Sequence, residues 1–109
     1  MVIRSRDLER ACRRLWDRRS TLVGWGTGSV FEYYQRHWPV RLDALVDSDA
    51  RRWGATRGPL TIESPDVLTR CSPADTLVLI YSSYWPEIER AVRALGPFVA
   101  LPAGAAFAD

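Results

Sequence analysis

The segment that most restricts this chain is Thr21-Leu22-Val23-Gly24-Trp25-Gly26-Thr27-Gly28-Ser29. A short apolar run stops at glycines. An amphipathic stretch follows, with Val30, Phe31, Tyr34 and Trp38 along one side. That order reads as a buried strand, a tight glycine turn and a helix over 28–37. Pro39 ends the helix, because the residue before proline avoids the helical region. A strand that feeds a helix through glycines opens a parallel sheet with crossover helices.

The rest of the chain repeats the alternation. Val40 to Val46 reads as a second strand, and the polar stretch Asp47 to Gly58 as a loop. Leu60-Thr61-Ile62 is a short strand. Ser64-Pro65-Asp66 opens a brief helix that ends near Cys71, and Ser72 to Asp75 is a turn. Thr76 to Tyr81, the most apolar run, reads as a central strand buried on both faces. Pro86 and Glu87 open a helix with the stripe Ile88, Ala91, Val92 and Leu95, closed by Gly96 and Pro97. Phe98 to Leu101 is a last strand, and Pro102 to Asp109 a small-residue tail, frayed or used for docking. Ahead of all this, Ser5 caps a helix over 6–18. The expected fold is α/β: an open parallel sheet of about five strands in the order 3-2-1-4-5. Helices cover both faces, and an extra helix stands at the N-terminus. One domain spans 1–109, made of a basic N-terminal helix (1–19), a core (20–101) and a tail (102–109).

Composition removes whole classes of chemistry. All 15 basic residues are arginine, so there is no P-loop lysine, Schiff-base lysine or Tyr-x-x-x-Lys pair. One histidine, His37, excludes multi-histidine metal sites. It falls at the far end of the first helix, where it reads as a surface residue. Cys12 and Cys71 are too few for a disulfide scaffold and read as ordinary small apolar residues. The longest apolar run is far below the roughly 20 residues of a membrane span, and no signal peptide is apparent, so a cytoplasmic setting is expected. The net charge of +2 gives little long-range field, and neither nucleic acid nor a membrane is expected as a partner. Residues 1–19 hold seven of the arginines. They form either a solvated helix face or a dock for an acidic partner.

With the second strand on one side of the first and Thr76–Tyr81 on the other, strand order reverses at the first strand. Ligands bind at such a switch point. There sit Gly26, Thr27, Gly28 and Ser29, where glycines let a phosphate approach the backbone and the following helix offers free N–H groups. Asp47 ends the second strand 21 residues after Gly26, where an acid accepts hydrogen bonds from ribose. The third glycine of the dinucleotide fingerprint is replaced by Phe31, which would hold the helix off the strand or alter the phosphate site. Arg51 and Arg52 either grip phosphate or belong to a solvated loop. Asp47 and Asp49 lack a third ligand for Mg²⁺. Ser82 and Ser83 face the crevice, as ligand contacts or as caps of the next helix. Of five tryptophans, Trp25 and Trp53 are the candidates to contact a base or sugar, and Trp53 serves equally as a packing lid. No catalytic or metal residue is assigned.

One ordered series of motifs carries a family likeness. It comprises Trp25-Gly26-Thr27-Gly28-Ser29, Val46-Asp47-Ser48-Asp49, Arg52-Trp53-Gly54, Gly58-Pro59-Leu60, Ser64-Pro65-Asp66-Val67-Leu68, Tyr81-Ser82-Ser83-Tyr84 and Glu87-Ile88. Over residues 20–101 this resembles the small Rossmann-like domains of bacterial sugar-modifying systems. These include the C-terminal domains of sugar C-methyltransferases and the N-terminal nucleotide-sugar-binding domains of sugar acyltransferases. The resemblance implies a nucleotide or nucleotide-sugar binding accessory module without catalysis of its own, holding NAD(P) or a nucleotide-sugar beside a partner enzyme or a second copy. Two alternatives stand. Phe31 and the basic N-terminal segment suit a protein-interaction module with a degenerate ligand site. Gly26-Thr27-Gly28-Ser29 also resembles the first motif of S-adenosylmethionine methyltransferases, with Gly24 where an acid is usual. A small NAD(P)-dependent reductase would need Tyr81 or Tyr84 as its proton donor.

Overall fold

A computed structural model describes residues 20–106. The expected helix over 6–18, the basic segment 1–19 and the last three residues of the tail lie outside the described residues.

Strand β1, Thr21–Trp25, covers the residues its apolar run predicts. Helix α1, Ser29–His37, follows from the glycine turn. β2 is Ala44–Val46, β3 Thr56–Arg57, β4 Leu60–Glu63 and β5 Thr76–Ile80. Helix α2 is Trp85–Leu95, β6 Val99–Pro102 and helix α3 Ala103–Ala106. The sheet is mixed and six-stranded, ordered β3-β4-β2-β1-β5-β6. Every neighbouring pair is parallel except β3 with β4.

The five-strand sheet expected from the sequence is therefore corrected by one strand. Gly58-Pro59 folds Thr56–Arg57 back on β4, pairing Arg57 with Leu60 and Thr56 with Thr61. Gly58 has φ +59°, the positive φ that the first position of a two-residue hairpin turn of this hand requires. The region 47–58 also holds a 3-10 helix, Ala50–Arg52, which the Asp49 carboxylate caps by accepting from the Arg51 amide. Val40 to Leu42 is not strand. The Gln35 side-chain amide takes both polar groups of the Val40 backbone, donating to its carbonyl at 3.2 Å and accepting from its N–H at 2.9 Å. The brief helix after Ser64 is 3-10, Pro65–Arg70.

Alternation along the central strands sorts side chains to two faces. Leu22, Leu45, Leu77, Leu79 and Tyr81 pack with Phe31 of α1, and with Ala103 and Ala106. Val23, Trp25, Val46, Val78 and Ile80 pack with Val92 of α2, Leu68 and Phe98. Both faces of the sheet are covered, and all of β5 is buried as its composition predicts. Ala91, expected on the inner stripe of α2, is exposed, and Val92 carries the buried contact. The tail is not frayed where it is described: Ala103 and Ala106 are buried, and a Cβ at Gly104 would stand 3.0 Å from the Tyr34 hydroxyl.

Phe31 is accommodated from the strand side. It is buried and meets Tyr81 edge-to-face, with ring centroids 5.1 Å apart. Nearby, Gly24 leaves space for Leu42 and the Tyr81 ring, since a Cβ there would stand 2.7 Å from the one and 3.3 Å from the other.

Candidate functional site

Strand order reverses at β1, and the carboxyl ends of β1, β2 and β5 meet at Gly26, Asp47 and Tyr81. Main-chain hydrogen bonds join them. The Gly26 N–H donates to the Val46 carbonyl at 2.9 Å, and the Tyr81 N–H to the Trp25 carbonyl at 2.8 Å. Gly26 has φ +113°, and a Cβ there would overlap the Tyr81 carbonyl oxygen. Only glycine fits.

Asp47 organises the turn. Its Oδ2 accepts from the Thr27 N–H at 3.1 Å and from the Thr27 hydroxyl at 2.6 Å, and its Oδ1 accepts from the Asp49 N–H at 2.8 Å. Thr27 is 1% exposed, so these bonds are shielded from water. Arg52 Nη1 donates to Thr27 Oγ1 at 3.2 Å and lies 3.6 Å from Asp47 Oδ2. The Trp53 indole N–H donates to the Asp47 carbonyl at 2.7 Å, while the ring stays 43% exposed. Thr27, Asp47, Arg52 and Trp53 thus form one bonded unit beside Gly26 and Gly28. The carboxylate expected to face a ribose is engaged with the chain itself.

The amino end of α1 opens beside this unit. Gly28 is its N-cap, and no side chain caps the helix. The amides of its first turn lack intrahelical acceptors, and Ser29 is exposed there. A Cβ at Gly28 would stand 3.4 Å from Arg52 Nη1, so the guanidinium lies against the glycine backbone. A helix amino end beside an arginine suits a phosphate.

Two clefts flank Ser82. One, of about 380 Å³, lies toward α2 and is lined by Asp47, Asp49, Tyr84, Glu87 and Ile88. The other, of about 500 Å³, lies between α1 and α3 and is lined by Val30, Ser83, Trp85 and Ala103. The Ser82 hydroxyl accepts from the Tyr84 N–H at 3.0 Å and so shapes the turn into α2. Ser83 is exposed on the second cleft. Tyr84 and Trp85 are 71% and 41% exposed, one at each cleft. The sequence singles out Tyr84 only as a candidate proton donor and does not place Trp85 at the crevice; α2 begins at Trp85, one residue earlier than Pro86 suggests. Trp25 is a core residue, with its indole N–H donating to Ser48 Oγ at 2.9 Å.

Arg51 chelates Asp49 through its amide, Nε and Nη2, all at 3.0 Å. The side-chain hydrogen bonds from Arg51 hold the Asp49 carboxyl below the usual carboxylate range. Among the described residues no group of three or more His, Cys, Asp or Glu is gathered for a metal. His37 is exposed in the last turn of α1, against Tyr33. Tyr81 turns its phenol into the α1 side of the core, where burial pushes its ionisation well above the ordinary tyrosine value. Its hydroxyl has no hydrogen-bond partner among the described residues. That hydroxyl is enclosed in the core rather than exposed at the crevice. Removing an unsatisfied buried hydroxyl stabilises, so Tyr81→Phe is expected to gain about 1 kcal/mol in urea unfolding. A loss of stability would mean that the hydroxyl has a partner.

No helix among the described residues is long and apolar enough to cross a membrane. Comparison with protein-family models, curated proteins and solved structures gives no match.

Proposed function

We propose that the chain is a Rossmann-like nucleotide or nucleotide-sugar binding module. Its five parallel strands, β4-β2-β1-β5-β6, correspond to the 3-2-1-4-5 sheet of that fold, and β3 is a hairpin addition. The observation that carries this reading is the bonded glycine turn at the strand-order reversal, with Arg52 against the uncapped amino end of α1. A diphosphate would lie on the amides after Gly28 and on Arg52. Trp53, Tyr84 and Trp85 would flank it with aromatic surface, and Ser83 would reach its far side. The module works in the cytoplasm as an accessory to an enzyme of bacterial sugar modification and carries out no chemistry of its own.

A thermal-shift panel of NAD, NADP, UDP- and dTDP-sugars, S-adenosylmethionine and coenzyme A tests this. A ligand at 100 times its dissociation constant stabilises by about 2.7 kcal/mol. At roughly 4–8 °C per kcal/mol the midpoint should rise by more than about 10 °C. The shift should disappear in Gly28→Val and weaken in Arg52→Gln. A flat panel would overturn the reading. It would favour a protein-interaction module instead, a reading supported by the engagement of Asp47 with Thr27 and Asp49.

A further inference from the structure

At the opposite end of the sheet, near the amino ends of β2 and β4, a cleft of about 460 Å³ separates α1 from the β3–β4 hairpin. Its apolar floor includes Phe31, Leu42 and Leu60, and three guanidiniums surround it: Arg36, Arg41 and Arg57. One carboxylate, Glu32, shares the lining. Arg51, Arg52, Arg90 and Arg93 all pair with acids. Arg36, Arg41 and Arg57 make no ion pair among the described residues. Arg36 lies in the last turn of α1 and complements the negative end of the helix dipole. Arg41 and Arg57 have no such local counter-charge. Arg57 donates through Nη1 to the Thr56 carbonyl, yet its Nε is fully buried with no acceptor among the described residues. Arginines without an ion-pair partner beside an apolar floor complement an anion with an apolar body. The walls are fixed beforehand. The Gln35 side chain pins Val40, and the Gly58-Pro59 turn sets the hairpin.

We propose that this cleft is a binding site for a small carboxylate with an apolar body. The carboxylate bonds Arg57 and Arg41, and the apolar part covers Phe31, Leu42 and Leu60. The site is separate from the crevice at the carboxyl ends of the strands and does not depend on what binds there.

Octanoate and its neutral counterpart octanamide test the proposal by NMR titration of the full chain. Octanoate should perturb amides over 31–42 and 57–60 saturably, with an affinity about tenfold above that of octanamide, the worth of one charge-assisted hydrogen bond. Arg57→Gln and Arg41→Gln should each lose about tenfold. Arg70→Gln, on the other face, and Gly28→Val, in the crevice, should bind as the parent does. Arg41 is exposed, so its variant keeps the test valid if Arg57→Gln fails to fold. Equal affinity for the two probes, no saturation, or perturbations confined to 26–29 and 82–85 would overturn the proposal. Preference for an acidic peptide over octanoate would overturn it in favour of a protein partner.

Discussion

Gly26→Ala is expected to lower the thermal midpoint by more than about 10 °C. Two effects add at one atom. The backbone φ of +113° disfavours any L side chain, at a cost of about 1–3 kcal/mol. The new methyl also meets the Tyr81 carbonyl group, which is main chain and cannot rotate away. Overpacking of this kind costs another 1–3 kcal/mol or so. Together that is roughly 2–6 kcal/mol out of the 5–15 or so that a domain possesses. Each kcal/mol moves the midpoint by about 4–8 °C at this size. Gly28→Ala is the control, because its φ is −92° and its nearest neighbour is the end of a flexible arginine. It should melt close to the parent. Circular dichroism melts of the two variants check the contrast, and similar midpoints would sink it.

Asp47→Ala comes next, at about 2–4 kcal/mol, and its effect appears with no ligand present. Three donors lose their acceptor: the Thr27 amide, the Thr27 hydroxyl and the Asp49 amide. Buried donors left unpaired cost about 1–3 kcal/mol each, and losses within one network are not additive. Arg52 also loses the carboxylate 3.6 Å away. Asp47→Asn keeps one acceptor oxygen and should fall between the parent and Asp47→Ala in urea midpoint. An Asp47→Ala chain as stable as the parent would return the carboxylate to a role facing a ligand. The same bonds make Asp47 a poor choice for dissecting binding, since its loss disturbs the loop that does the holding. Gly28, where a Cβ would meet only the end of the Arg52 side chain, is a cleaner position.

Legibility followed how local each determinant is. β1 and β5 were readable because an apolar run bounded by turn residues carries its own signal. β3 was not, because Thr56 and Arg57 are polar and become strand only through a turn two residues later. Val40 to Leu42 looked like strand from composition alone, yet a glutamine five residues earlier claims the Val40 backbone. The alanines after Pro102 read as a weak tail, though small size is what lets that segment lie against Tyr34. The site divided in the same way. Spacing located Asp47 correctly at the end of β2. Which donors would fold back onto its carboxylate depended on Arg52 and Thr27 meeting across two loops. Phe31 looked like a defect in a glycine pattern, and its edge-to-face partner Tyr81 comes from a distant part of the chain.

The pairing of β1 with β5, which joins Thr21 to Thr76, also sets a timetable. Strand β1 cannot acquire both neighbours until the chain has been made through Ile80. Until then one flank of β1 is unpaired, and the apolar residues on both its faces wait for β5. Early hairpin contacts around Gly58 form quickly, because they are local. Closing the middle of the sheet needs a long loop to find its end, which is the slow step in folds rich in distant contacts. On the ribosome β1 and β2 therefore emerge as an uncommitted segment, and β1 gains its second neighbour only when residue 80 has cleared the exit.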